Sequence, residues 1–239
     1  MPGLGTIINI AGIILGGFLG LCFGKFLKES HRLTLSRVCG VCVLFIGISG
    51  ALEGLLTVEN GSLVSGNTML LVICLALGAL IGELLRIEDK FEQFGIWLKD
   101  KTGNAKDKQF VEGFVSASLT VCIGAMAIVG ALQDGLEGEY VTLATKAVLD
   151  MVIIMVMTCS LGKGCLFSAL PVAVLQGSVT ALSFLIRPLM TPEALCNLSL
   201  VGSVLIFCVG INLVWDRRIK TANLLPSVVL AVIAAFLRG

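Results

Sequence analysis

Lys146 and Asp150 stand four residues apart in an otherwise apolar stretch, residues 141–160. On a helix that spacing returns both side chains to one face. A charge at bilayer depth costs roughly 3 kcal/mol on insertion scales, so it must face protein or water. Two readings follow: an ion pair that neutralises itself and fixes the helix rotation, or part of a substrate or ion pathway. Gln133 and Asp134 close the preceding apolar stretch, in GAMAIVGALQDG (124–135), and a short hairpin brings them back towards Lys146. Asp134, Lys146 and Asp150 together carry a net −1, which suits a small cation better than an anion. Asp134 is equally well read as an ordinary residue that starts the turn. Glu112, in FVEGFVSAS, stands where an apolar stretch begins, and a helix N-terminus favours an acid there. Gln176 follows Pro171 in LPVAVLQGSVTAL. Proline and Gly177 within a span permit a kink or local unwinding, and carbonyls freed in that way can bind ions. Asn9, Ser116, Ser118, Thr120 and Asn212 are expected to bond neighbouring helices.

Other chemistries lack their residues. The nine cysteines are scattered and suggest no disulfide framework. Cys39 and Cys42 form a C-x-x-C with no second pair beside it, so no metal site is expected. The single histidine, His31, lies in a basic loop. No nucleophile–base pair or glycine-rich phosphate loop is visible, and neither a cofactor nor an enzymatic activity is expected.

The elements that position these residues follow from composition. Of 239 residues, 56% are hydrophobic and 14% charged, with a mean hydropathy of +1.00. A soluble domain carries about 25% charged residues, so the solvent of this chain is largely lipid. A net charge of +1 argues against a nucleic-acid partner. Crossing the hydrocarbon core takes about 20 apolar residues. Eight stretches qualify: 5–24, 36–56, 66–85, 110–132, 141–160, 165–186, 194–214 and 222–237. The first has no basic residues before it and ends in Lys25 and Lys28, so it reads as a span and not as a signal peptide. The whole chain, 1–239, reads as a single integral membrane domain, an all-α bundle of about eight transmembrane helices.

The basic residues test the span count. Lys25, Lys28, Arg32 and Arg37 follow span 1; Arg86, Lys90, Lys99, Lys101, Lys106 and Lys108 follow span 3. Lys163 follows span 5, and Arg217, Arg218 and Lys220 follow span 7. Fourteen of the 17 basic residues thus fall in odd-numbered loops; the others are Lys146, Arg187 and Arg238. Cytoplasmic loops are the basic ones, so both termini are expected outside. The outer loops then hold Glu53, Glu59, Asp134, Glu137, Glu139 and Glu193. Such an acidic mouth either concentrates cations or simply reflects the missing Lys and Arg.

Three further patterns concern packing. Ile87, Phe91, Phe94 and Leu98 recur every three or four residues among charges, with Trp97 alongside, which predicts an interfacial amphipathic helix over 86–100. Gly12, Gly16, Gly20 and Gly24 line one face of span 1, and Gly78 and Gly82 repeat the spacing in span 3. Small residues at this interval let helix backbones approach, either in the bundle core or across a homodimer. The segment from Gly40 resembles that from Gly202, and the segment from Asn67 that from Asn223. If spans 1–3 match spans 6–8, the copies enter from opposite faces, an inverted repeat of the kind found in alternating-access transporters.

Five segments also resemble a known family: GTIINIAGIILGG (5–17), LALGALIGELLRIED (75–89), FVEGFVSASLTVCIGAMAIVGALQDGL (110–136), TKAVLDM (145–151) and LPVAVLQGSVT (170–180). They are similar to the YqgA/YdfK-like family of bacterial inner-membrane proteins, domain of unknown function 554. The resemblance implies a bacterial cytoplasmic membrane and supplies no activity. The recurring polar positions of the family fall on Glu83, Glu112, Gln133, Asp134, Lys146, Asp150 and Gln176. The function expected from these readings is a transporter or channel for a small cation or small polar solute. The competing class is a non-transporting scaffold or sensor that assembles through its glycine faces.

Overall fold

The computed structural model describes residues 2–59, 61–123, 125–215 and 219–237; Gly124, Arg217, Arg218 and Arg238, named above, lie outside them. Its helices are α1 (Leu4–Gly24), α2 (Glu29–Leu55), α3 (Thr68–Leu85), α4 (Ile87–Lys101), α5 (Phe110–Cys122), α6 (Ala125–Glu137), α7 (Val141–Leu161), α8 (Ala169–Ala181), α9 (Ser183–Ile186), α10 (Pro192–Trp215) and α11 (Pro226–Leu237). The expected all-α bundle of apolar helices is what forms. A small antiparallel hairpin, β1 (Leu56–Glu59) and β2 (Ser62–Ser65), joins α2 to α3. It was not expected, although the Asn60-Gly61 dipeptide between two β-prone runs is a hairpin signal in the sequence.

Among the described residues, six helical stretches are long and apolar enough to cross a membrane: Leu4–Gly24, Leu33–Leu55, Thr68–Leu85, Val141–Leu161, Lys163–Ala181 and Pro192–Trp215. The fourth expected span is not continuous. Its halves, α5 and α6, are inclined by 62°, so the pair is either a broken span or a re-entrant loop. The last apolar segment, Thr221–Leu237, is shorter than the other candidates and is broken by a 3-10 turn before Pro226.

The irregularity expected around Pro171 is placed differently. Helix α8 continues through Pro171, Gln176 and Gly177. Pro171 is its third residue, and a first-turn amide has no helical partner to lose. The chain there distorts upstream, in the 3-10 segment Lys163–Ser168, and the large bend lies between α5 and α6.

Close approach through glycine organises the core. The two most extensive helix pairs are α1 with α7 and α2 with α10. Along α1, Gly12, Gly16, Gly20 and Gly24 face Ala147, Met151, Met155 and Cys159 of α7 in turn, so the two helices run parallel. Along α2, Gly40, Gly47, Gly50 and Gly54 face Leu213, Phe207, Ser203 and Leu200, so α2 and α10 run antiparallel. Gly78 and Gly82 of α3 face Ser227 and Asn223, which makes α3 and α11 antiparallel. The glycine faces therefore meet other helices of the same chain.

Helix α4 forms as the periodicity predicts. Gly95 and Leu98 are buried, and Phe91 and Phe94 pack on Phe114 of α5 with ring centroids 5.7 and 5.8 Å apart. Trp97 stacks on Phe94 and remains exposed.

The glycine stripe makes a graded prediction. A Cβ at Gly16 would overlap the Met151 carbonyl, whereas one at Gly20, Gly12 or Gly24 would stand 2.5, 2.8 or 3.4 Å from its nearest atom of α7. Gly→Ala should therefore lower thermal stability most at Gly16, by about 1–3 kcal/mol, and least at Gly24. Gly177, with nothing within 4 Å of the added methyl, should tolerate alanine. Melting temperatures of the five purified variants check this order.

Candidate functional site

Lys146 and Asp150, on the first half of α7, are 7% and 4% exposed. They form an ion pair across one helical turn. The Lys146 Nζ also donates to the carbonyl oxygen of Val121, 2.9 Å away. Val121 is in the last turn of α5, where carbonyls lack helical partners and the helix dipole is negative. The break between α5 and α6 thus leaves a half-helix C-terminus inside the bundle, and the ammonium satisfies it.

A polar track leads from this pair to one end of the molecule. Asn9 of α1 interacts with the Asp150 carboxylate, and its Nδ2 donates to Oε1 of Gln176 on α8, 3.1 Å away. Both side chains are fully enclosed, yet Asn9 Oδ1 and Gln176 Nε2 have no hydrogen-bond partner. One turn nearer the end, the hydroxyls of Thr6 and Thr180 lie 3.2 Å apart. Above them opens a cavity of about 490 Å³, lined in part by Gly3, Thr6, Gly177, Thr180 and Phe184. Sequence reasoning identified Asn9 and Gln176 separately but not Thr6 or Thr180. The signal was present, since Thr6–Asn9 and Gln176–Thr180 are each spaced to share a helix face.

The remaining candidates lie elsewhere. The buried Asp134 accepts hydrogen bonds from the amides of Gly3 (3.1 Å) and Thr6 (3.2 Å). It therefore caps α1 from a different helix, supplying the acceptor that Gly3 lacks at the N-cap. Gln133 Oε1 accepts from the Thr142 hydroxyl at 2.8 Å and pins the α6–α7 turn. Neither residue makes a hydrogen bond to Lys146; the expected three-charge cluster reduces to the pair on α7. Glu112 is half-buried at the opposite end, on a polar cavity of about 640 Å³ shared with Arg37, Lys106, Lys108, Ser160 and Asn212. Basic residues from two of the odd-numbered connections, Arg37 and the Lys106–Lys108 segment, meet around that cavity.

Glu83 belongs to a separate network at the α3–α4 corner. It pairs with Lys220 at 2.9 Å and accepts from Asn223 Nδ2 at 2.6 Å. Asn223 Oδ1 receives the Glu88 amide, and the Glu88 carboxylate receives the Ala222 amide, each at 2.7 Å. The hydrogen bond it donates to the Glu83 carboxylate holds the Lys220 ammonium above the ordinary lysine range. This reciprocal clasp ties α4 to the turn before α11.

The α1 cap can be tested directly. Replacing Asp134 with alanine removes two acceptors and should cost about 1–2 kcal/mol. A lower melting temperature, with faster hydrogen exchange at the Thr6 amide, is the expected result.

Comparison with known proteins agrees with the membrane architecture. A family described as "Protein of unknown function (DUF554)" matches residues 4–236. The "Uncharacterized membrane protein YdfK" of Bacillus subtilis (strain 168) is 27% identical over 232 residues, covering 97% of this chain and 95% of that protein. The "Uncharacterized protein YqgA" of Escherichia coli (strain K12) is 28% identical over 233 residues, covering 96% and 94%. No solved structure matches the chain.

Proposed function

We propose, for a chain that belongs to the DUF554 family of proteins of unknown function, that it carries a small cation or small polar solute across a bacterial cytoplasmic membrane. The observation that carries this reading is the buried Lys146–Asp150 pair, seated on the open C-terminus of α5 and joined to the Asn9–Gln176 amides. Ionisable groups at membrane depth mark ion and substrate routes, and half-helix ends inside a bundle are the usual ion ligands of transporters. Two cavities at opposite ends, one above Thr6 and Thr180 and a polar one beside Glu112, offer the route an entrance and an exit.

The basic residues beside the Glu112 cavity support a cytoplasmic position for that end, because cytoplasmic loops are the basic ones. Both termini and the Thr6–Thr180 cavity then lie outside, and α4 rests in the inner interface with Trp97 as anchor. The antiparallel pairing of α2 with α10 and of α3 with α11 is what an inverted repeat of spans 1–3 and 6–8 produces about an axis between them. A scaffold assembling through its glycine faces is less well supported, because those faces are filled by α7, α10 and the α11 region of the same chain.

Purified protein in liposomes should show selective flux of a small cation or metabolite. Asp150→Asn should reduce that flux about tenfold or more while far-ultraviolet circular dichroism stays unchanged. Undiminished flux in a folded Asp150→Asn protein rules out the pathway along α7.

A further inference from the structure

The surroundings of the Lys146 ammonium say what kind of solute fits there. It is held by one carboxylate oxygen, from Asp150, and by the Val121 carbonyl at 2.9 Å. Asn9, which reaches the same carboxylate, retains a buried Oδ1 with no partner. These are oxygen donors of the kind that replace the hydration shell of an alkali cation. They contribute a single formal negative charge, since Asp134 is bound to the amides that begin α1. One negative charge balances one positive charge; a divalent ion would keep an uncompensated charge in a low-dielectric interior. Among the described residues no group of three or more His, Cys, Asp or Glu offers a metal cage.

We infer that the Lys146 side chain is a tethered stand-in for the solute: its ammonium occupies a monovalent-cation site formed by the Asp150 carboxylate and the Val121 carbonyl, with the unpartnered Asn9 amide oxygen held in reserve beside that carboxylate. This rests on the reading of α7 as the lining of the transport route and names the substrate class as a small monovalent cation. The ammonium and the free cation exclude one another, because the shell carries a single negative charge and its oxygens can serve only one of them. An arriving cation, entering past Thr6 and Thr180, turns the ammonium out with its own charge, and the shell trades one monocation for another. When the cation leaves, Lys146 returns and Asp150 is never left alone in the bundle. A lysine four residues from its carboxylate on one rigid helix is well placed for this, because its long stem moves while the backbone stays still.

The test compares wild type with Lys146→Met in detergent, in chloride salts of sodium, potassium, ammonium or methylammonium. N-methyl-D-glucammonium, too bulky for the shell, is the control at equal ionic strength. The Lys146→Met protein should melt lower in the control salt. It should recover by about 3–6 °C at roughly ten times the dissociation constant of a small cation. Lys146→Met/Asp150→Asn should show no such recovery. Recovery that is equal in the control salt, or that survives loss of Asp150, overturns the inference.

Should Lys146→Met fail to fold, wild-type protein gives a second readout. Carbamylation of Lys146 by cyanate, followed by mass spectrometry, should rise several-fold as a small cation replaces the control ion. Unchanged labelling overturns the inference. Cation-specific recovery without flux in liposomes would leave the site standing and refute transport. Flux lost in Asp150→Asn without any cation effect on Lys146→Met or on labelling would keep transport and refute the cation site.

Discussion

An ammonium and a carboxylate in the interior of α7 have no water to fall back on, and much of the bundle is arranged around that constraint. Breaking such a pair by removing one partner typically costs about 3–5 kcal/mol, because the other charge is left buried. The chain meets the demand with groups that are otherwise short of partners. The Val121 carbonyl is orphaned by the end of α5, and the ammonium takes it. Each of the two defects, a charge without solvent and a helix end without a cap, resolves the other. This is why the α5–α6 bend belongs beside Lys146.

The same constraint reaches α1. For Asn9 to touch Asp150 and Gln176 together, α1 must lie against both α7 and α8. A helix with ordinary side chains on that face would be held off by their volume. The glycine stripe lets the α1 backbone come down onto α7 for its full length. Asp134 then fastens the start of α1 from α6, so the helix is fixed along its side and at its end. A stripe that in isolation says only that something packs closely here specifies where Asn9 stands.

What was legible in the sequence follows the range of the interactions. Lys146 and Asp150 could be paired because their contact is local, one turn along one helix. The amphipathic helix over 86–100 was legible for the same reason: Ile87, Phe91 and Leu98 repeat with the helical period. The role of Asp134 was not, since its partners are amides more than 120 residues away. Val121 carries no sign at all, because its contribution is a backbone carbonyl whose availability depends on where α5 stops. Pro171 is a false sign of a break for a related reason. Proline disrupts a helix only where an amide would have been used, and three residues into α8 it would not.

The satisfied and unsatisfied groups around α7 also differ in a way that bears on function. The Asp150 carboxylate, the ammonium and the carbonyl are all engaged, whereas the neutral amides beside them are each half used, with one free acceptor on Asn9 and one free donor on Gln176. A purely structural pair gains nothing from unspent hydrogen-bonding capacity, which costs about 1–3 kcal/mol for each buried group. A binding site does, because the capacity is recovered when a solute arrives and is surrendered again when it departs. The free atoms lie between the ion pair and the Thr6–Thr180 cavity, on the side from which a solute would come. On the transport reading proposed above, stability at the centre of α7 is held back where it can be exchanged for binding, while the two charges stay covered.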